Sequence, residues 1–149
     1  MGSSKNVSPK FAELTEHASR TLLSSKHVGR IAYTLHDRVD IQPVSYMYDD
    51  GWIFGRTRVG TKLEKLAHNP WCAFEVDEAR GPFDWDSVVA HGSFHLLDPE
   101  SGSADVYERA LRRLHELIPG TFDVDDPAPE RTILFGVWVQ ELTGRSARS

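Results

Sequence analysis

The chain has 149 residues, 40% of them hydrophobic and 26% charged, and a formal net charge of −5. That is one domain's worth of core in an ordinary globular composition, and its acidic balance argues against general nucleic-acid binding, which uses a basic face. No apolar run approaches the ~20 residues of a membrane helix, and the single cysteine, Cys72, excludes an internal disulfide. The polar start, Met1-Gly2-Ser3-Ser4-Lys5-Asn6, has no apolar signal core, so a cytoplasmic location is expected.

In chain order, residues 1–8 are polar and expected to fray. Ser8 and Pro9 read as the N-cap and first residue of a helix. Phe11, Leu14, Ala18 and Leu22 carry its period through about Ser24. Strands are expected over 27–35 and 39–48, the second with Pro43 at an edge or bulge. Asp49-Asp50-Gly51 predicts a hairpin leading into a third strand, 52–57. A short helix over 60–67 stops at Asn69-Pro70. A fourth strand covers 71–76, a loop 77–84, and a long strand 86–97, in which Gly92 marks a bulge or a close backbone approach. After Asp98-Pro99 a helix runs to about Ile118, with Ala104, Tyr107, Leu111 and Leu114 on one face. A loop rich in Pro and Asp, a last strand over 132–142 and a tail over 143–149 complete the chain, so the domain is expected to span 9–142. Six strands joined mostly by hairpins and short loops predict a mainly β, antiparallel sheet curled into a barrel, with three helices beside it.

The segment 51–66 carries the chemistry. It reads as a strand, a turn crowded with Arg56, Thr57, Arg58, Gly60, Thr61 and Lys62, and the first turns of a helix. Free N–H groups at a helix start, flanked by cations, suit a phosphate. Gly55 and Gly60 stand at the P-loop separation, but Thr61-Lys62 reverses the order that chemistry needs, and repeated strand–helix units are missing. Nucleotide hydrolysis is therefore not expected. Neither is a metal site. His91 and His95 share a strand face yet stand about 13 Å apart, and Asp123, Asp125 and Asp126 lack the glycine and terminal glutamate of a calcium loop. Cys72, in the apolar run Trp71-Cys72-Ala73-Phe74, reads as a buried inert thiol.

Three motifs in this order resemble the FMN-binding split β-barrel family, the pyridoxamine-5′-phosphate-oxidase-like proteins. They are Val28-Gly29-Arg30-Ile31-Ala32; then Gln42-Pro43-Val44-Ser45-Tyr46-Met47-Tyr48 with Asp50-Gly51, Gly60-Thr61-Lys62 and Asn69-Pro70; and Trp85-Asp86-Ser87-Val88-Val89-Ala90-His91-Gly92. The branch with nitroimidazole-resistance-type and general flavin-reductase-like members is the most similar. The resemblance implies a six-stranded antiparallel split barrel, paired as a homodimer with FMN at the interface, and an oxidoreductase acting on a small molecule. A deazaflavin, FAD or haem is the alternative cofactor, and a non-catalytic binding or storage module the alternative function. Carried over by position, Thr61 and Lys62 would hold the phosphate, and Arg56 and Thr57 would flank it and the ribityl chain. Gln42, Pro43, Val44 and Ser45 would lie along the ring, and Ser87, with Trp85 nearby, would come from the other protomer. No catalytic side chain is singled out. True pyridoxamine-phosphate oxidases end in a basic and aromatic segment that this sequence lacks, so vitamin B6 oxidation is not expected.

Overall fold

A computed structural model describes residues 8–100 and 104–149. The expected fraying over 1–7 lies outside the described residues. The elements are β1 (Lys10–Glu13), α1 (Glu16–Ser25), β2 (Val28–Leu35), β3 (Arg38–Ser45), β4 (Met47–Asp49), β5 (Trp52–Thr57), a 3₁₀ turn (Glu64–His68), β6 (Trp71–Gly81), β7 (Asp84–Leu96), α2 (Ala104–Leu117) and β8 (Ile133–Arg148). All strands pair antiparallel in the order β3-β2-β6-β7-β8-β5-β4, with β1 added to the far end of β8. The sheet is open. Its two terminal strands, β3 and β4, are consecutive in the chain and separated only by Tyr46. This is the expected mainly β split barrel, with eight strands among the described residues rather than six.

Local chemistry explains the strand borders. His36 and Asp37 both have positive φ, 53° and 61°, as a tight β2–β3 hairpin demands. Asp50 and Gly51, at 44° and 93°, do the same for β4–β5. Pro43 sits on β3, an edge strand, where its missing N–H is harmless. Gly92 lies where the β7–β8 register slips, and a Cβ there would stand 2.0 Å from the Trp138 carbonyl oxygen. The expected bulge and the expected close approach are both present.

Side chains alternate across the sheet. The inner face of the curl gathers Ile31, Tyr33, Val44, Ile53, Phe74, Val76, Val88, Phe94, Phe135 and Val137, and Leu23 of α1 with Leu63 and Leu66 plugs it. The outer face of β5 and β8 presents Phe54 and Leu134 to Ala110 and Leu114 of α2. Tyr46 locks the split. Its backbone N–H donates to the His27 carbonyl (2.9 Å), and its hydroxyl donates to the Leu23 carbonyl in the last turn of α1 (2.5 Å).

Five expectations need correction. The first helix begins at Glu16, capped by the Thr15 hydroxyl, which accepts from the Ala18 N–H at 3.0 Å; residues 10–13 are a strand on β8. The 60–67 helix shrinks to the 3₁₀ turn, because Gly60, at φ +83°, cannot start a helix. The 77–84 loop is the end of β6, whose turn is Pro82-Phe83. Residues 143–148 are not a tail but the second half of β8, paired with β1 and β7. On α2, residue 104 is exposed, and the buried stripe runs through Ala110 and Leu114.

Candidate functional site

The candidate site lies at the split. β3 is hydrogen-bonded to β2 on one side only, so its other edge offers backbone donors and acceptors in a row. A ladder of polar side chains runs beside it on the inner face. Gln42 accepts a hydrogen bond from the Tyr33 hydroxyl (3.1 Å). Tyr33 stands directly across the β2–β3 ladder from Asp40, and burial, then the Asp40 charge, raises its phenol above the ordinary value. Asp40 takes the Lys62 ammonium at 3.2 Å. Next along the same turn, the Thr61 hydroxyl lies 3.0 Å from that of Thr57 and bonds the Arg58 carbonyl (3.0 Å). Two strand edges and one turn thus bring Gln42, Thr57, Thr61 and Lys62 into one polar line.

The anion chemistry of the turn differs from the expected helix start. A five-residue 3₁₀ turn has no aligned set of free amides. The Gly60 N–H donates to the Glu64 carboxylate (2.7 Å), a donor turned to an anion of the chain's own. Arg58 is exposed, and among the described residues no acid pairs with it. The donor set of two hydroxyls, one glycine amide, Lys62 and Arg58 fits a phosphate. Two carboxylates, Glu64 and Asp40, now hold two of those donors.

Arg56 does not join this line. Successive strand residues face opposite ways, so Thr57 and Arg56 cannot both line one cleft. Arg56 is buried on the outer side, where its guanidinium meets both Asp126 oxygens at 2.6 Å. That contact holds the Asp126 carboxyl well below the usual carboxylate range. Gln42 and Val44 face inward, whereas Pro43 and Ser45 are exposed on the outer face. Ser45 opens instead, with Arg56, onto a separate cavity of about 240 Å³ between the end of α2 and the following loop.

Trp85 and Ser87 lie far from this line within one chain. Ser87 pairs with Asp77, which aligns with Val28 and Ser45. From Asp40 that is three strands across and about five residues along, roughly 20 Å over the sheet surface at ~4.8 Å per strand and ~3.3 Å per residue. Trp85 packs instead near Phe11, ring centroids 6.3 Å apart, and its indole N–H donates to the Pro82 carbonyl (3.2 Å). His91 and His95 form no metal cluster, and none occurs among the described residues. His95 bonds Ser93 (2.9 Å) and meets the Trp52 ring edge-on, where burial lowers its pKa. Trp138 leans on Trp52, centroids 5.2 Å apart, on the outer face of β8. Cys72 is buried, and burial pushes its thiol up to about 12, the expected inert state.

Sequence reasoning missed Tyr33, Asp40, Glu64 and Asp126. The first two carried a signal, since alternation puts Asp40 on the face of Gln42. Asp126, 70 residues from Arg56, carried none.

The chain belongs to the pyridoxamine 5′-phosphate oxidase family, whose model matches residues 15–146. An uncharacterised protein of Mycobacterium tuberculosis is 29% identical over 119 residues, covering 72% of this chain and 77% of that one. In three dimensions the chain resembles an FAD-binding protein from Mesorhizobium loti, with a TM-score of 0.73 at 23% identity over 93% of this chain and 99% of that one. It also resembles the FAD-binding protein from Mycobacterium smegmatis, with a TM-score of 0.68 at 24% identity over 91% of this chain and 98% of that one.

Proposed function

We propose that this protein binds a flavin, with FMN the form that matches its turn, and works as a homodimeric oxidoreductase on a small molecule in the cytoplasm. The observation that carries the reading is the polar line ending in Thr57, Thr61 and Lys62 beside the open edge of β3. Hydroxyls and an ammonium suit a terminal phosphate. A free strand edge suits the donors and acceptors on a heterocycle's rim. Family membership and flavin-binding neighbours support the same ligand. Thr61 and Thr57 would donate to the phosphate and Lys62 would neutralise it after leaving Asp40. The backbone of 42–45 would hold the ring's polar edge, with Pro43 supplying only a carbonyl. The chemistry supplied by such a group is transfer of a hydride or electrons between a nicotinamide donor and a small acceptor.

The dimer enters because Trp85 and Ser87 can reach this site only from a second copy. The outer face of β3, β2, β6 and β7 supports it, aligning Ile41, half-buried Ala32 and Ala73, and His91 in register, with Ile41, Val39 and Trp71 exposed. A non-catalytic carrier is the second reading. It is favoured by the polar line itself, where the carboxylates Asp40 and Glu64 are engaged by Lys62 and the Gly60 N–H rather than free. The absorbance spectrum of purified protein, with mass spectrometry of what denaturation releases, tests the ligand. A flavin spectrum and FMN mass are expected. Colourless protein whose melting point ignores added FMN overturns the proposal. Steady NADH or NADPH oxidation by the loaded protein then selects the enzyme over the carrier.

A further inference from the structure

We infer that Arg56 is a latch for the loop 118–131 and takes no part in holding a cofactor's phosphate, which leaves that grip to the Thr57–Lys62 turn. This deepens the flavin reading and rests on it for the ligand half of the test alone. Both terminal nitrogens of the guanidinium are committed. Nη1 and Nη2 each donate to one Asp126 oxygen at 2.6 Å, and Nη1 also donates to the Arg131 carbonyl at 3.3 Å. The Phe122 ring lies 5.2 Å from its central carbon. Asp126 is equally committed, accepting from the N–H groups of Phe122 (2.8 Å) and Ala128 (2.9 Å). Only 6% of the Arg56 side chain and 3% of that of Asp126 remain exposed.

For Arg56 to turn to a phosphate, a buried carboxylate would lose its counter-charge, the costly way to break such a pair. The chain would also have to reverse the alternation of β5. The bonds of Arg56 and the ring contact instead tie the loop at three places, residues 122, 126 and 131, to the end of β5. So tied, the loop walls the cavity that Ser45, Leu114, Leu117 and Thr121 share with it. The cation that sequence assigns to the cofactor sets the shape of a neighbouring cavity.

The test uses the full chain as Arg56→Met, Asp126→Leu and the double variant, with Lys62→Ala as the phosphate control. Each single change strands one charge and is expected to lower Tm and to open the loop to chymotrypsin at Phe122. The double variant removes both charges but still leaves the Phe122 and Ala128 N–H groups without their acceptor, so it is expected to recover part of both. Its preference for FMN over riboflavin stays within about twofold of the parent's, whereas Lys62→Ala loses about tenfold or more, the scale of a charged hydrogen bond. A double variant that keeps riboflavin affinity but loses FMN preference about tenfold, as a lost charged hydrogen bond would, overturns the inference. So do single variants with the parent's Tm and cleavage pattern. If the parent binds neither flavin, the flavin reading falls, and melting and cleavage alone decide the latch.

Discussion

At the scale of single residues, what decides a role is which way a side chain faces. Arg56 and Thr57 are neighbours in sequence and strangers in space. Lys62, by contrast, is 53% exposed and paired with Asp40 at 3.2 Å. Lys62→Ala should weaken FMN binding by about 1.5–3 kcal/mol. The loss should shrink in high salt, because exposed charges are screened. Titration calorimetry at two ionic strengths reads both, and equal affinities of mutant and parent would contradict the assignment. Two structural residues give predictions independent of any ligand. Tyr46→Phe strands the Leu23 carbonyl at the end of α1 and should cost about 1–3 kcal/mol in urea unfolding, the penalty of a buried unpaired acceptor. Gly92→Ala must push a backbone carbonyl aside, and about 1–3 kcal/mol or more is expected for such overpacking. Parent-like stability in either variant would show that the sheet relaxes more readily than its geometry implies.

At the scale of elements, the strands with clear period-two patterns and Gly- or Asp-marked turns were legible. β5 falls on its expected residues, and β2 begins one residue late. Two of the errors share one cause, a long-range partner. Ser8-Pro9 has the chemistry of a helix start, yet residues 10–13 extend because β8 is there to pair with them. The second half of β8 reads as a tail because it is small and polar. Its small residues are required by packing. A Cβ on Gly144 would stand 2.3 Å from the Ser19 oxygen and 2.8 Å from the Leu14 Cβ, since α1 rests directly on the strand. Ending the chain after Leu142 should therefore release β1 and lower Tm, as circular dichroism melting would show; an unchanged Tm would make those residues a tail after all. Of the candidate site, the sequence named Gln42, Thr57, Thr61 and Lys62 through the resemblance, and the fold brings them into one polar line. The Asp126 latch was not legible, because no local pattern marks a partner so distant. The latch also gives the molecule a pH signature. Asp126 is ionised in the folded state at pH values where the free carboxyl, near 3.8, is protonated. The stability it confers is complete above that value and lost as pH falls below it toward the lowered folded value. Asp126→Asn should flatten that acid limb in a series of melting curves, and an unaltered limb would remove the latch from the acid response.

At the scale of the whole molecule, one open sheet does two jobs. Its inner face is plugged by α1, and its split leaves a free strand edge and a polar turn side by side. Its outer face divides, α2 covering the β5–β8 part while the β3-β2-β6-β7 part stays bare. If that bare part is the dimer face, Ile41→Glu, a change at a residue already 66% exposed, should leave monomer stability intact and shift sedimentation from dimer to monomer. A parent that sediments as a monomer with or without FMN would remove the partner's Trp85 and Ser87 from the site. The most direct measurement is the affinity of the ligand-free protein for FMN beside that for riboflavin, which differ only by the phosphate. FMN should bind about tenfold or more tightly, the worth of one charged hydrogen bond or more. Equal affinities, or none for either, would contradict the claim that this turn holds a phosphate.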